Sequence, residues 1–245
     1  MYKIGTSEDL WACHERYPEI FPEAFKVHSL KPLGHATVCE YIRCEFMNTD
    51  KSYRVLEIGH GASSLFFRIF NSSDKIDCYG IDENDRKNTV SISALNKLRV
   101  SYPNVTFYSG YLGESNDLPS SFFDLVFSVS VIEHVPEEQL QAFHKDVFRI
   151  LKPGGSQIHS YDRPWGGDIK VMNNIIEGVG FEWLEAPIVD LEEFWKLENR
   201  ELIRVVFEHP YVVMEKFMHL LPREGRRLYN FVTVLVGAKK PEYTP

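Results

Sequence analysis

Gly59 and Gly61 end the apolar run 55–58, and Asp82 ends the next one, 76–81. Glycines at the carboxyl end of a strand let the backbone reverse sharply and approach a ligand closely. A helical stretch over 63–70 follows, and its first turn offers unpaired N–H groups to a polar or anionic group. A carboxylate closing the next strand can accept hydrogen bonds from both hydroxyls of a ribose. Strand, tight turn, helix, strand and acid make residues 53–82 a nucleoside-binding half-site.

Two nucleoside ligands compete for it. A nicotinamide cofactor prefers G-x-G-x-x-G, because its pyrophosphate needs the third glycine. Ser64 stands at that position. Glu57, two residues before Gly59, is poorly placed beside a pyrophosphate but suits an ammonium group, such as the methionine part of S-adenosylmethionine. An oxidoreductase stays open on these residues alone.

The elements that would position the half-site alternate. Strand patterns at 54–58, 76–81, 105–109, 123–129 and 156–160 are separated by helix patterns at about 63–70, 85–100, 137–151 and 168–178. Short apolar strands alternating with longer helices predict βαβ units and a parallel sheet covered on both faces. Residues 181–189 and 230–239 read as two more strands, so the expectation is a Rossmann-like doubly wound α/β sheet of seven strands, with 53–189 and 230–240 forming the core. Residues 1–50 read as a helical cap, with Ser7 capping one helix and an amphipathic run from Ala36 to Phe46 forming another. Residues 190–229 read as a helical insertion, either a lid over the substrate or a homodimer interface. A single domain over 1–245 is expected.

Composition excludes several classes. The net charge of −8 gives no general attraction to nucleic acid or to anionic membranes. The four cysteines Cys13, Cys39, Cys44 and Cys78 contain no C-x-x-C pair and no zinc-ligand spacing, so no metal site is predicted and buried free thiols are expected. There is no signal-peptide pattern, and no apolar run approaches the roughly 20 residues of a membrane span. A cytoplasmic protein is expected.

At this point a family resemblance emerges. Val55-Leu56-Glu57-Ile58-Gly59-His60-Gly61 resembles the first motif of class I S-adenosylmethionine-dependent methyltransferases, and Tyr79-Gly80-Ile81-Asp82 resembles their second. Leu118-Pro119, residues 123–128 (Phe-Asp-Leu-Val-Phe-Ser) and Val131-Ile132-Glu133-His134-Val135 resemble the fourth-strand region of the subgroup that methylates small molecules. Leu151-Lys152-Pro153-Gly154-Gly155 resembles the turn before their fifth strand. The set covers about residues 53–160, in the family's order and spacing. The resemblance implies an antiparallel seventh strand and S-adenosylmethionine as cofactor. It implies that Glu57, Gly59 and Gly61 hold the methionine portion, with His60 a common variant among the cofactor-binding residues of the turn, Asp82 the ribose, Glu83 the flank of the adenine, and Ser128 and Ser130 the methionine end. Where relatives have Gly-Asp-Ala after the third strand, this chain has Gly110-Tyr111-Leu112. Either Tyr111 stacks on the base or Asp117 approaches it from the longer loop.

Methyl transfer to a small-molecule acceptor, foremost a hydroxyl oxygen and next a nitrogen, needs in-line positioning and, for a hydroxyl, a general base. Candidates lie at strand carboxyl ends: His134 after the fourth strand, and His159, Tyr161 and Asp162 at the end of the fifth. His35 has no readable role.

Overall fold

The computed structural model describes residues 2–4, 15–17, 31–61, 64–83, 89–114, 117–163, 169–184 and 232–242. The predicted helix after Ser7 and the predicted insertion 190–229 lie outside them, apart from helical residues 15–16.

Strands β1 (Tyr2–Ile4), β2 (Tyr53–Ile58), β3 (Ile76–Asp82), β4 (Thr106–Ser109), β5 (Phe123–Val129), β6 (Leu151–Arg163), β7 (Glu182–Trp183) and β8 (Val232–Lys239) form one sheet. Its spine runs β4-β3-β2-β5-β6 with every neighbour parallel, and β8 adds antiparallel to β6. The expected doubly wound, Rossmann-like sheet with an antiparallel last strand is present. Helices α1 (Lys31–Phe46), α2 (Leu65–Phe70), α3 (Thr89–Ser101), α4 (Glu137–Ile150) and α5 (Ile169–Val179) accompany it.

Strand alternation divides the core between the faces. Val55, Leu125, Phe127 and Ile158 pack with Phe66 and Phe67 of α2 and with Ala36 and Ile42 of α1. Leu56, Val126 and Leu151 pack with Leu140, Phe143 and Val147 of α4 and with Ile176 of α5. Strands buried on both faces lose polar alternation, which is why β2 and β5 read as continuous apolar runs.

Three details differ from the sequence-based picture. The first fifty residues are not wholly helical: β1 pairs with Val234–Val236 of β8, sharing that edge with β7 and adding an eighth strand. The predicted 156–160 strand extends to Leu151–Arg163, because the turn at 152–155 is absorbed as a bulge. Phe123 pairs with Leu151 but Leu125 with Ser156, and Gly154 takes φ +78° to accommodate the extra residues. The predicted 181–189 strand is only Glu182–Trp183 within the described residues.

Helix α1 packs against the sheet as a core layer. Ala36, Val38, Cys39 and Ile42 are buried. A Cβ built on Gly34 would lie 2.4 Å from Ser160 Oγ and 2.9 Å from Val129 Cγ1. Only a glycine lets the helix come this close to the ends of β5 and β6.

Candidate cofactor site

The sheet reverses its winding between β2 and β5, the place where open α/β sheets bind ligands beyond the strand carboxyl ends. Gly59 and Gly61 leave β2 there with φ of +69° and +62°. Their surroundings differ. A Cβ on Gly59 would meet Val131 Cγ2 at 2.4 Å, whereas a Cβ on Gly61 would meet nothing within 4 Å. Gly59 therefore serves the close packing of the turn against the β5 exit, and Gly61 faces open space.

Two carboxylates brace this turn. Asp82 Oδ2 accepts a hydrogen bond from the Gly61 N–H at 2.8 Å, while the Gly59 N–H donates to the Ile81 carbonyl at 2.8 Å. The turn is thus pinned to the end of β3, and Asp82 sits half-buried beside it. Glu57 lies in register with Gly80 and Phe127 and is 2% exposed. Its Oε1 is 3.1 Å from His35 Nε2 on α1, and its Oε2 accepts from the Ser64 hydroxyl. Ser64 in turn caps α2, its Oγ accepting the Phe67 N–H at 3.3 Å. The residue standing where a dinucleotide fold has its third glycine is therefore a helix cap tied to a buried acid. Both oxygens of Glu57 are engaged inside the protein.

His60 turns beneath the loop. Its Nδ1–H donates to the Gly61 carbonyl at 2.8 Å, and its ring meets Phe67 and Phe107 edge-on at 5.6 and 5.3 Å. It is buried, so it supports the turn from below.

The β5 exit holds a second polar group on the opposite face. Ser128 Oγ lies 2.8 Å from His159 Nδ1. Gln157 Oε1 lies 3.0 Å from His159 Nε2 and 2.9 Å from His144 Nδ1. All four residues are fully buried between β5, β6 and α4. Burial pushes the His144 imidazole down to about 4, against a raising contribution from its Gln157 hydrogen bond. Burial, then the neighbouring His144, holds His159 well below the usual histidine range. Both rings are neutral at neutral pH.

The predicted site residues thus separate. Glu57, Gly59, His60, Gly61 and Asp82 meet at the turn. Ser130 follows β5 in a left-handed conformation, φ +54°, with its N–H donating to the Ser160 carbonyl at 2.8 Å. That conformation is uncommon for a non-glycine residue. His134 closes the 3₁₀ turn Ile132–His134 and is exposed. Glu83 is exposed after β3, Asp117 is exposed in its loop, and Tyr111 beyond β4 is 36% exposed. Ser128 and His159 point into the interior. Tyr161 and Asp162 occupy the last residues of β6 opposite Val234 and Thr233; their side chains lie outside the described residues. Sequence reasoning missed His35, His144 and Gln157. The available signal was position: His35 shares a helical stripe with Val38, Cys39 and Ile42, and His144 one with Leu140 and Val147.

Residues 55–155 match the family described as "Methyltransferase domain". The sterol 24-C-methyltransferase erg6 of Aspergillus fumigatus is 23% identical over 63% of this chain and 37% of its own length. The chain therefore spans well under half of that curated relative. Among solved structures, phosphoethanolamine N-methyltransferase 2 of Haemonchus contortus, in complex with S-adenosyl-L-methionine, is similar over 84% of this chain and 52% of its own, at 17% identity and TM-score 0.54. An S-adenosylmethionine-dependent methyltransferase of Mesorhizobium loti covers 78% of this chain and 92% of its own, at 16% identity and TM-score 0.54. The cyclase SpnF covers 84% and 81%, at 14% identity and TM-score 0.55. At such identities the likeness fixes the fold and leaves the chemistry open. The glycine turn, the acid ending β3 and the β5 exit all lie inside the segment 55–155 that matches the methyltransferase-domain family, and the sheet around them has the fold of S-adenosylmethionine-dependent methyltransferases.

Proposed function

We propose that the chain transfers the methyl group of S-adenosylmethionine to a small-molecule acceptor, at a hydroxyl oxygen. The observation that carries the cofactor half is the pairing of Asp82 with the N–H of Gly61, the turn glycine that faces open space. A carboxylate oxygen accepts about two hydrogen bonds, so Asp82 can hold the turn and ribose hydroxyls together. When bound, S-adenosylmethionine supplies a sulfonium methyl that is already electrophilic. The protein's task is to orient the acceptor and exclude water. Glu57 contributes at one remove, by fixing Ser64 and the turn, in place of the direct methionine contact that the resemblance implies. At the β5 exit, Ser130 is proposed to line the methionine end of the cofactor and His134 to face the acceptor. His134, exposed in its turn, takes the hydroxyl proton as general base. Tyr161 and Asp162, at the end of β6, and Tyr111, at the adenine end, complete the proposed contacts, with Glu83 flanking the base.

Among the described residues no helix is long and apolar enough to cross a membrane. Cys39, Cys44 and Cys78 are free thiols. Both features support the proposal that the protein works in the cytoplasm.

The relatives include one called a C-methyltransferase and one called an N-methyltransferase, which favours keeping carbon and nitrogen acceptors as the second reading. A panel of hydroxyl, amine and activated-carbon acceptors, assayed by release of S-adenosylhomocysteine, separates them. Turnover confined to hydroxyl acceptors, and reduced about 100-fold in His134→Ala, is the expected result. Turnover of amines alone would replace the oxygen reading. Cofactor binding without turnover of any acceptor would replace methyl transfer itself.

A further inference from the structure

We infer that His35, which lies outside the segment shared with the methyltransferase family, is a positioning residue for the cofactor turn, acting through the buried link His35–Glu57–Ser64. The inference rests on the cofactor reading above and extends it to the N-terminal helix.

Glu57 is an acid in the middle of a parallel sheet, with the sheet on two sides and helices on a third. A buried carboxylate is tolerated only when its oxygens have partners, since stripping one away leaves a charge without compensation. The structure supplies one partner from each of two different elements. His35 comes from α1, and Ser64 stands at the start of α2, three residues beyond Gly61. The acid therefore joins the first helix to the point where the glycine turn becomes a helix. The turn is fixed at its other side by Asp82. Between them the two acids anchor Gly61 and Ser64, and one of them is held by a residue of the preceding helix.

Helix α1 is itself held where His35 can reach. Gly34 allows the backbone to lie against Ser160 and Val129 at the ends of β6 and β5. His35 follows directly, so its ring enters between the helix and β2. Ala36, Val38, Cys39 and Ile42 then bury the rest of that face. A shift of α1 would move His35 from Glu57, and with it the support of Ser64. Among the described residues, the buried polar contact that carries His35 towards the turn is the one to Glu57. Its proposed effect on a ligand passes through Glu57 and Ser64, which makes it a positioning residue and not a catalytic one.

The test is titration of S-adenosylhomocysteine into the wild type, His35→Ala, His35→Gln and Ser64→Ala, each shown to be folded by near-ultraviolet circular dichroism. Losing a hydrogen bond to a buried charge corresponds to about a 10-fold or greater weakening in His35→Ala. His35→Gln, whose amide N–H can donate to Glu57, should recover most of that affinity, a rescue that mere loss of packing would not show. Ser64→Ala breaks the opposite end of the link with α1 intact, and should weaken binding comparably. It also stands in if His35→Ala fails to fold. Wild-type affinity in folded His35→Ala, or in Ser64→Ala where His35→Ala does not fold, overturns the inference alone. A wild type that is folded yet does not bind S-adenosylhomocysteine overturns the cofactor reading and the inference with it.

Discussion

The two faces of the sheet each bury histidine, and they do so in opposite ways. On the α1 face, His35 meets a carboxylate, and the pair leads through Ser64 to the glycine turn. On the α4 face, His159 and His144 meet an amide and a hydroxyl, and the chain ends at Ser128 within β5. The first cluster contains a group that is costly to leave unpaired, because a buried carboxylate needs each of its partners. The second is joined by neutral hydrogen bonds, with His144 Nε2 and the Gln157 amide nitrogen left without a partner among the described residues, and burial keeps both rings neutral. The comparison shows why two histidines of equal chemical promise serve different ends. A histidine beside a buried acid couples elements; a histidine beside an amide stays neutral and fills a core.

The largest expected effect follows from removing the acid. Glu57→Ala leaves His35 and Ser64 facing a cavity and should cost about 3 to 5 kcal/mol in urea unfolding. Gln157→Leu on the opposite face should cost less, about 1 to 3 kcal/mol, since only neutral hydrogen bonds are lost. Equal costs would erase the contrast between the faces.

Acid titration sharpens the same contrast. His144 titrates near 6.5 when the chain is unfolded and at about 4 in the folded protein. The unfolded state takes up its proton first, so this contribution to stability is whole above pH 6.5 and is lost as the pH falls towards 4. The loss amounts to roughly 3 kcal/mol by linkage. His159 is shifted in the same direction and deepens the fall. Unfolding measured across that window should show a positive slope of stability with pH, and His144→Leu should flatten it. A slope unchanged by His144→Leu would mean that the α4-face chain is not the source.

The two turn glycines give the smallest and most graded comparison. Gly59→Ala combines a left-handed backbone with a Cβ driven against Val131, and should cost about 2 to 4 kcal/mol. Gly61→Ala meets no atom and should cost only about 1 to 2 kcal/mol of backbone strain. It should nevertheless weaken cofactor binding, since the added methyl projects into the open side of the turn. Thermal unfolding of the two variants with and without S-adenosylhomocysteine separates these effects.

What was legible in the sequence was whatever local geometry enforces. A strand, a glycine turn and an acid closing the next strand must converge in a parallel sheet, so Gly59, Gly61 and Asp82 could be placed from spacing alone. His35 could not. Its partner Glu57 lies across a loop and a change of element, and helical position showed only that the ring faces the core. The burial of His159 is illegible in the sequence for a related reason. Alternation along β6 puts Gln157 and His159 on one face, but only the packing of α4 reveals that this face is sealed. The strand at 151–163 looked shorter because Pro153, Gly154 and Gly155 mark a turn, and the sheet absorbs that turn as a bulge. The β1 edge was missed because a three-residue strand carries too little periodicity to be read.

We propose the turn pinned by Asp82 as the seat of S-adenosylmethionine. Calorimetric titration of S-adenosylhomocysteine into wild type and Asp82→Ala tests it most directly. The account predicts saturable binding to the wild type and a loss of at least about 10-fold in the variant, consistent with the removal of charge-assisted hydrogen bonds to a ribose. Equal affinity in the two folded proteins, or no binding to the wild type, would contradict it.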